Sequence, residues 1–528
     1  MGAALVGPLQ LTEYVVEPLF PATTMPMTED VAGQIWSLAK PTANVQQNPW
    51  DVAHHAASQV GYEAYIEPDI LHAAAPVPTD ALEAVAGDEL NTNYPPNDAV
   101  SPGWHLEPGF TGFATIRGRA DGRGIRIAHL DTGYTPGHVS TPRHMHPELG
   151  WNFWDNNDDV VDPGTQVLGL LQPGHGTATL ALLAGNRVDL TFRGLRYEGD
   201  FGGAPEADIV PVRIGASVVH VYSSTMARGL NYALAPRDST AARCQVISLS
   251  HGGLPSASWA TAVNALYEAG VTIVAASGDS FYEGLIDVAT RFTVYPSAFN
   301  RVITAVGATY DRQPYKTTHL NVMQGCWGPD AIMRKASAAF TPNVAWMDRE
   351  KLPDGFDMTG GGTSASTPQI AAACALWLQL YGSRFPADWR VVEACRLALF
   401  RSSDATQAGM SYCGWGTLNV PQMLEPGLAD AIETEYRTGN LQKSAPDEVT
   451  FPFWRLLVGE PPPGSSQEAM YETEVAQIVL SSRNAKLGAA AQRVGNGGAL
   501  DPAERDQLKA ALLAEPISAA LGDKIRVS

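Results

Sequence analysis

The chain has 528 residues, 45% hydrophobic and 17% charged, with 50 Gly and 38 Pro. That composition is globular and loop-rich, excludes a disordered or fibrous protein, and is long enough for two or three domains. A net charge of −20 argues against nucleic acid or an anionic membrane as the partner; no apolar stretch approaches the roughly 20 residues of a bilayer span, and MGAALVGPLQ lacks a basic leader.

Four regions follow in chain order. Residues 1–75 mix an apolar run (LTEYVVEPLF), helix-like stretches (TEDVAGQIWSLAK, NPWDVAHHAASQ) and a last strand, GYEAYIEPD; they are expected to form a small α+β unit. Residues 76–105 are rich in Pro, Asn and Asp and read as a linker. Between 106 and 428, strands alternate with helices. GIRIAHLD, ADIVPVRI, CQVISLS, VTIVAAS and RVITAVGAT are strands. HGTATLALLAG, MARGLNYALA, ASWATAVNALYEAG and TPQIAAACALWLQLYG are helices. This alternation predicts an α/β fold, a parallel sheet with helices on both faces, whose site lies beyond the carboxyl ends of the strands. The tail, 429–528, holds the break GEPPPGSS and two helical stretches, MYETEVAQIVLSSRNAKL and DPAERDQLKAALLAE. Packing against the core is its plainer expected role, and binding of an unknown partner the alternative.

Cys244, Cys326, Cys374, Cys395 and Cys413 are widely spaced, with no C-x-x-C pair. They suggest neither a zinc site nor a redox motif, and predict reduced thiols in the cytoplasm, or secretion had a signal been removed. The acidic run DNNDD, Asp155 to Asp159, reads as a solvated loop, with a calcium site the alternative.

Three segments carry chemistry. IRIAHLDTG places Asp131 after a strand; GHGTATL places His175 between glycines at a helix start; GGGTSASTPQ places Ser364 at the mouth of a helix whose Pro368 suits a first turn. Singly each is weak, and a Gly-rich loop before a helix more often binds phosphate. Neither G-K-[ST] nor an opening G-x-G-x-x-G is present to support that reading. Together the three supply a serine nucleophile, a histidine base and an acid that orients the base.

These residues sit in a longer likeness. GIRIAHLDTG, HPEL, GHGTATLALLAG, GAPEADIVPVRI, VISLSHGG, VYPSAFNRVITAVGAT, GGTSASTPQIAAACALWL and YCGWGTLNV resemble, in collinear order over about residues 65–425, the segments of the subtilisin-like serine proteases. Thr179 stands about where that family has a second histidine. The resemblance implies Asp131 as orienting acid, His175 as general base and Ser364 as nucleophile. It also implies that Ser250, His251 and Gly252 pair with a protein or peptide substrate as an added β-strand. Ala276, Ser277 and Gly278 would wall the pocket for the residue before the scissile bond. Val294 at its base, where the family often has glycine, implies small side chains there, a reading that the charged loop with Glu283, Asp287 and Arg291 could upset. Residues 1–75 resemble the family's ferredoxin-like inhibitory prodomain in their last strand, and PGWHLEPGF resembles the start of its catalytic domain. The linker would then hold a self-cleavage site.

One position departs from the pattern. Asp279 follows the glycine of AASG, where most of the family has an asparagine that completes the oxyanion hole with the N–H of the serine. An ionised carboxylate about 4 Å from a developing oxyanion would cost on the order of 4 kcal/mol. A protonated one would donate a hydrogen bond instead. A prohormone convertase and the acid-acting sedolisins share this aspartate, but sedolisins lack the G-H-G motif.

The expected function is therefore a serine endopeptidase that needs no cofactor, with structural calcium left unassigned. The alternative is an inactive or weak protease-fold module that binds peptides or proteins. An esterase would need a G-x-S-x-G elbow, which G-T-S-A-S does not supply.

Overall fold

In a computed structural model of the chain, the residues described are 11, 13–21, 35–43, 47–73, 100–164, 174–218, 220–238, 243–281, 292–316, 323–449, 465–482, 484–495 and 498–528. Most of the linker, the charged loop and the GEPPPGSS break lie outside these residues.

Seven parallel strands form the central sheet: β1 (Arg126–Asp131), β2 (Trp151–Asn152), β3 (Asp208–Arg213), β4 (Val246–Leu249), β5 (Thr272–Ala276), β6 (Ile303–Ala308) and β7 (Ala336–Phe340). Their order is β7-β6-β5-β4-β1-β3-β2. β4 and β5 are buried along their length, as a sheet covered on both faces requires. The register pairs Leu249 with both Leu130 and Ala275, so Asp131, Ser250 and Ala276 emerge at one edge.

The two faces are covered by different helices. One core joins Trp259, Val263 and Leu266 of the helix Ala257–Glu268 to Leu249 and Ile273. The other joins Ile370, Ala373 and Trp377 of the helix Thr363–Tyr381 to Ile127, Val274 and Ile303. The second core continues into the helix Trp389–Ser402. That helix and the strands β2 and β7 were not anticipated, because their apolar runs are short or irregular.

Three local expectations are corrected. GYEAYIEPD is not a strand; the strand is Leu71–Ala73, which finds an antiparallel partner in His220–Tyr222. TEDVAGQIWSLAK ends in the strand Ser37–Pro41, paired with Tyr14–Pro18, and its first residues lie outside those described. MYETEVAQIVLSSRNAKL is split between the helices Ser466–Ser481 and Ala485–Gly495. Besides the pair Tyr14–Pro18 and Ser37–Pro41, residues 1–75 contain the helix Pro49–Gln59.

The C-terminal helices Ser466–Ser481, Ala485–Gly495, Pro502–Leu513 and Ala519–Val527 pack on the catalytic region. Val475, Val479, Leu512 and Leu521 share a core with Trp259 and Phe299. All five cysteines are buried, and none forms a disulfide. Among the described residues, no helix is long and apolar enough to cross a membrane.

Candidate active site

Asp131 ends β1 with its carboxylate fully buried. His175 opens the helix α1 (His175–Ala184) after Gly174. The next residue is Gly176, where a Cβ would stand 1.9 Å from the carbonyl oxygen of Gly133. Only glycine lets this helix start so near the turn after Asp131. The closeness brings His175 Nδ1 within 2.8 Å of Asp131 Oδ1, the bond that fixes the imidazole and leaves Nε2 to act as a base.

The rest of the Asp131 surroundings favours its charge. Thr132 N–H donates to Oδ1 at 2.7 Å, and the Thr179 hydroxyl donates to Oδ2 at 3.1 Å. Thr179 therefore supports the acid from the helix that carries the base. His129 Nε2 and His251 Nδ1 each lie 3.9 Å from Oδ2. Burial opposes ionisation of Asp131, but His175, His251 and the remaining contacts hold its carboxyl well below the usual range. Burial lowers His129 and His251 to about 4, despite the pull of Asp131. Both are thus neutral near pH 7, and His129 Nε2–H meets the Thr179 oxygen at 2.9 Å. No local pattern marks His129 or His251 as flanking the acid.

Ser364 is the second residue of α2 (Thr363–Tyr381), so its N–H has no partner within the helix. Pro368 is not in the first turn, as had been expected, but lies inside this helix. Lacking an N–H, it leaves the Ser364 carbonyl without its i+4 donor. The Ser250 hydroxyl fills that place at 3.1 Å. In return, Ser364 Oγ reaches the Ser250 carbonyl at 3.5 Å. Among the described residues no hydrogen bond joins Ser364 to His175.

Asp279 leaves the sheet after Gly278 and begins a short strand paired with Met323–Gly325. Its Oδ1 accepts the Thr363 N–H at 2.8 Å, and its Oδ2 meets Thr363 Oγ1 at 3.3 Å. A Cβ at Gly362 would lie 2.8 Å from Oδ2. Glycine is thus what admits the carboxyl to the start of the serine helix, next to the nucleophile. Burial pushes Asp279 up to about 6, against the opposing Thr363 hydrogen bonds.

The expected substrate-binding residues converge. Ser250, His251 and Gly252 continue past β4, and Ala276, Ser277 and Gly278 lie at and past the end of β5. The Val294 N–H donates to the Ser277 carbonyl, while Tyr295 and Gly253 exchange two backbone bonds of 2.8 and 3.0 Å. Val294 is thereby pinned between the walls, its Cγ2 2.3 Å from where a Cβ would stand at Gly252, and its Cγ1 2.9 Å from one at Gly278.

The acidic loop is internally bonded. Asp155 pairs with Arg213, Asn157 accepts from the Asp159 N–H, and Asp159 from the Val161 N–H. Among the described residues, the one group of three ion-binding side chains is Asp131, His175 and His251, whose donor atoms lie within 4.8 Å of one another. The first two are occupied with each other.

Comparison with known proteins is consistent with this arrangement. A sequence profile described as the subtilase family matches residues 122–416. "Intracellular serine protease" of Paenibacillus polymyxa is 26% identical over 270 residues, which is 51% of this chain and 70% of that protein. "Subtilisin" of Bacillus sp. (strain TA39) is 28% identical over 294 residues, 52% of this chain and 62% of the relative. "Subtilisin E" of Bacillus subtilis (strain 168) is 25% identical over 304 residues, 57% of this chain and 65% of the relative. The match thus spans under two thirds of the latter two.

Proposed function

The chain belongs to the subtilase family of serine proteases, and from that premise we propose that it is an endopeptidase working through an acyl-enzyme on Ser364. Ser364 Oγ swings from the Ser250 carbonyl toward His175, loses its proton to Nε2 and attacks the scissile carbonyl. His175, held by Asp131, then gives the proton to the leaving amine, and a water molecule repeats the sequence to release the acid. The observation that carries this reading is the 2.8 Å bond between His175 and a fully buried Asp131. The chemistry needs no cofactor.

The oxyanion is stabilised by the Ser364 N–H and by protonated Asp279. Oδ1 accepts the Thr363 N–H, and the Thr363 hydroxyl has the Gly278 carbonyl at 3.1 Å as a second acceptor, so Oδ2 carries the proton once that hydroxyl donates to Gly278; the raised value of about 6 supports that state. Substrate adds as a β-strand along Ser250 to Gly252, and the side chain before the scissile bond is small because Val294 fills the pocket between its glycine walls.

Residues 1–75 act as an inhibitory segment, with the cut falling in the linker. Two carboxylates support this. Glu67 accepts from the Ala257 and Ser258 N–H groups, and Asp69 from the Ser224 N–H, so each caps the start of a catalytic-region helix. Leu71–Ala73 then runs beside the substrate strand, where His72 Nδ1 accepts the Leu254 N–H at 3.1 Å. Buried cysteines without disulfides support a cytoplasmic setting.

A peptide-binding module with little or no turnover is the second reading. It draws on Asp279 and on the Ser364 rotamer that faces Ser250. A fluorophosphonate probe separates the two: labelling of the wild type at Ser364, absent in Ser364→Ala, is expected. No labelling between pH 5 and 8 would favour the module.

A further inference from the structure

The subtilase match ends at residue 416, yet the described residues beyond 465 include the helices Ser466–Ser481, Ala485–Gly495, Pro502–Leu513 and Ala519–Val527, with a defined contact surface. Besides the core it shares with the catalytic region, that surface meets the N-terminal segment. Glu474, fully buried on the helix Ser466–Ser481, lies 3.3 Å from His54 Nε2 and also accepts the Ser518 N–H and hydroxyl. One side chain thereby ties two C-terminal helices to the helix Pro49–Gln59. Gln477 makes a bridge of another kind: its Oε1 accepts Trp50 Nε1–H at 3.0 Å, and its Nε2 donates to the Pro255 carbonyl at 2.8 Å. Pro255 lies three residues beyond Gly252 of the substrate strand. Tyr65 donates to Thr473 at 2.8 Å, Asp51 caps Ala519 and Asn48 reaches the Pro516 carbonyl. Met470 completes a small core with Trp50, Ala53 and Ala57.

We infer that the C-terminal extension is a clamp whose partner is the N-terminal segment of the same chain. It holds residues 47–73 on the catalytic region through Gln477 and Glu474, and keeps them there after the connecting stretch is cut. While the chain is continuous, its two ends meet at an effective concentration of roughly millimolar, so contacts of modest strength suffice. A cut removes that advantage, and retention then rests on the buried bonds. The catalytic region holds the segment through two helix starts, a three-residue strand edge and the His72 bonds to Ser223 and Leu254. The clamp adds a covering on the segment's opposite side. Release of the segment would then require the C-terminal helices to move as well. The regulatory consequence rests on the proposed inhibitory role of residues 1–75; the retention itself does not.

The test uses the full chain in a Ser364→Ala background, with a recognition site for an unrelated protease placed within residues 74–99. After cutting, gel filtration and mass spectrometry read whether the two pieces travel together. Co-elution at low micromolar concentration is expected. His54→Glu sets a second carboxylate against buried Glu474 and should speed dissociation roughly a hundredfold or more. Trp50→Phe keeps the ring but strands the Gln477 acceptor, for about a tenfold effect, and guards against misfolding of the first variant. Prompt separation of the cut parent, or equal retention by the parent and both variants, would overturn the clamp. Restoring Ser364 tests the other reading separately. A cut complex that holds together but hydrolyses peptides at full rate sustains the clamp and refutes the inhibitory role.

Discussion

Ser250 donates its hydroxyl to the carbonyl of Ser364 at 3.1 Å, in the place of the N–H that Pro368 lacks. The stretch that continues past β4 is thereby bonded directly to the peptide of Ser364. Ser250→Ala would leave that buried carbonyl without a donor, a cost of ~1–3 kcal/mol. Denaturant unfolding should show that loss, and kcat should fall with it. Equal stability and equal kcat would show that the bond is dispensable.

Thr179→Val removes the hydroxyl that Asp131 Oδ2 and His129 share, at almost constant volume. About a tenfold lower kcat/KM is expected, carried mainly by kcat, because the acid then holds His175 less firmly. Steady-state kinetics on one peptide substrate would decide it. A change confined to KM would assign Thr179 to binding.

Asp279 at about 6 lies above the ordinary aspartate range near 4. The fold therefore favours its protonated form. Its stabilising contribution is complete below about pH 4 and is lost as pH rises through 6. Unfolding free energy of the wild type should fall across that window relative to Asp279→Asn. Activity follows the same sign: wild-type kcat should decline above pH 6 as the donor proton leaves, and the asparagine variant should not. Parallel pH–rate profiles would reject Asp279 as the oxyanion donor.

Val294→Gly opens the space between Gly252 and Gly278. The ratio of kcat/KM for substrates with a large residue before the scissile bond over those with alanine should rise about tenfold or more. A peptide library read by mass spectrometry would show it. An unchanged preference would place the constraint elsewhere.

Glu67→Ala uncaps the helix Ala257–Glu268 from the N-terminal side. Loss of a cap costs ~1 kcal/mol. Uncut protein should then show severalfold higher basal hydrolysis, because the segment is held less tightly over the cleft. Unchanged basal activity, with the expected loss of stability, would mark Glu67 as a purely structural cap.

The Asp131–His175 pair was readable because each residue is announced by local chemistry, a strand end and a glycine pair at a helix start; Ser364 was singled out by a Gly-rich turn before a helix. The strands β1 and β3 to β6 were readable for a similar reason, since a sheet buried on both faces demands continuous apolar runs. β2 and β7 escaped because two residues of strand, or a run of alanine and serine, carry no period. Pro368 was misplaced for an instructive reason. Its tolerance inside the helix depends on Ser250, 114 positions earlier in sequence as the bond is drawn.

The sequence by itself determined the α/β class, the chain order of Asp131, His175 and Ser364 and the carboxylate at position 279, because period, glycine placement and residue chemistry are local properties. Only the tertiary structure decided what surrounds them. It brought two further histidines and Thr179 to Asp131, pinned Val294 between two glycine walls and joined the helix Ser466–Ser481 to Trp50 and Pro255 through Gln477. Those relationships join residues tens to hundreds of positions apart, and packing, which no local pattern records, is what sets them.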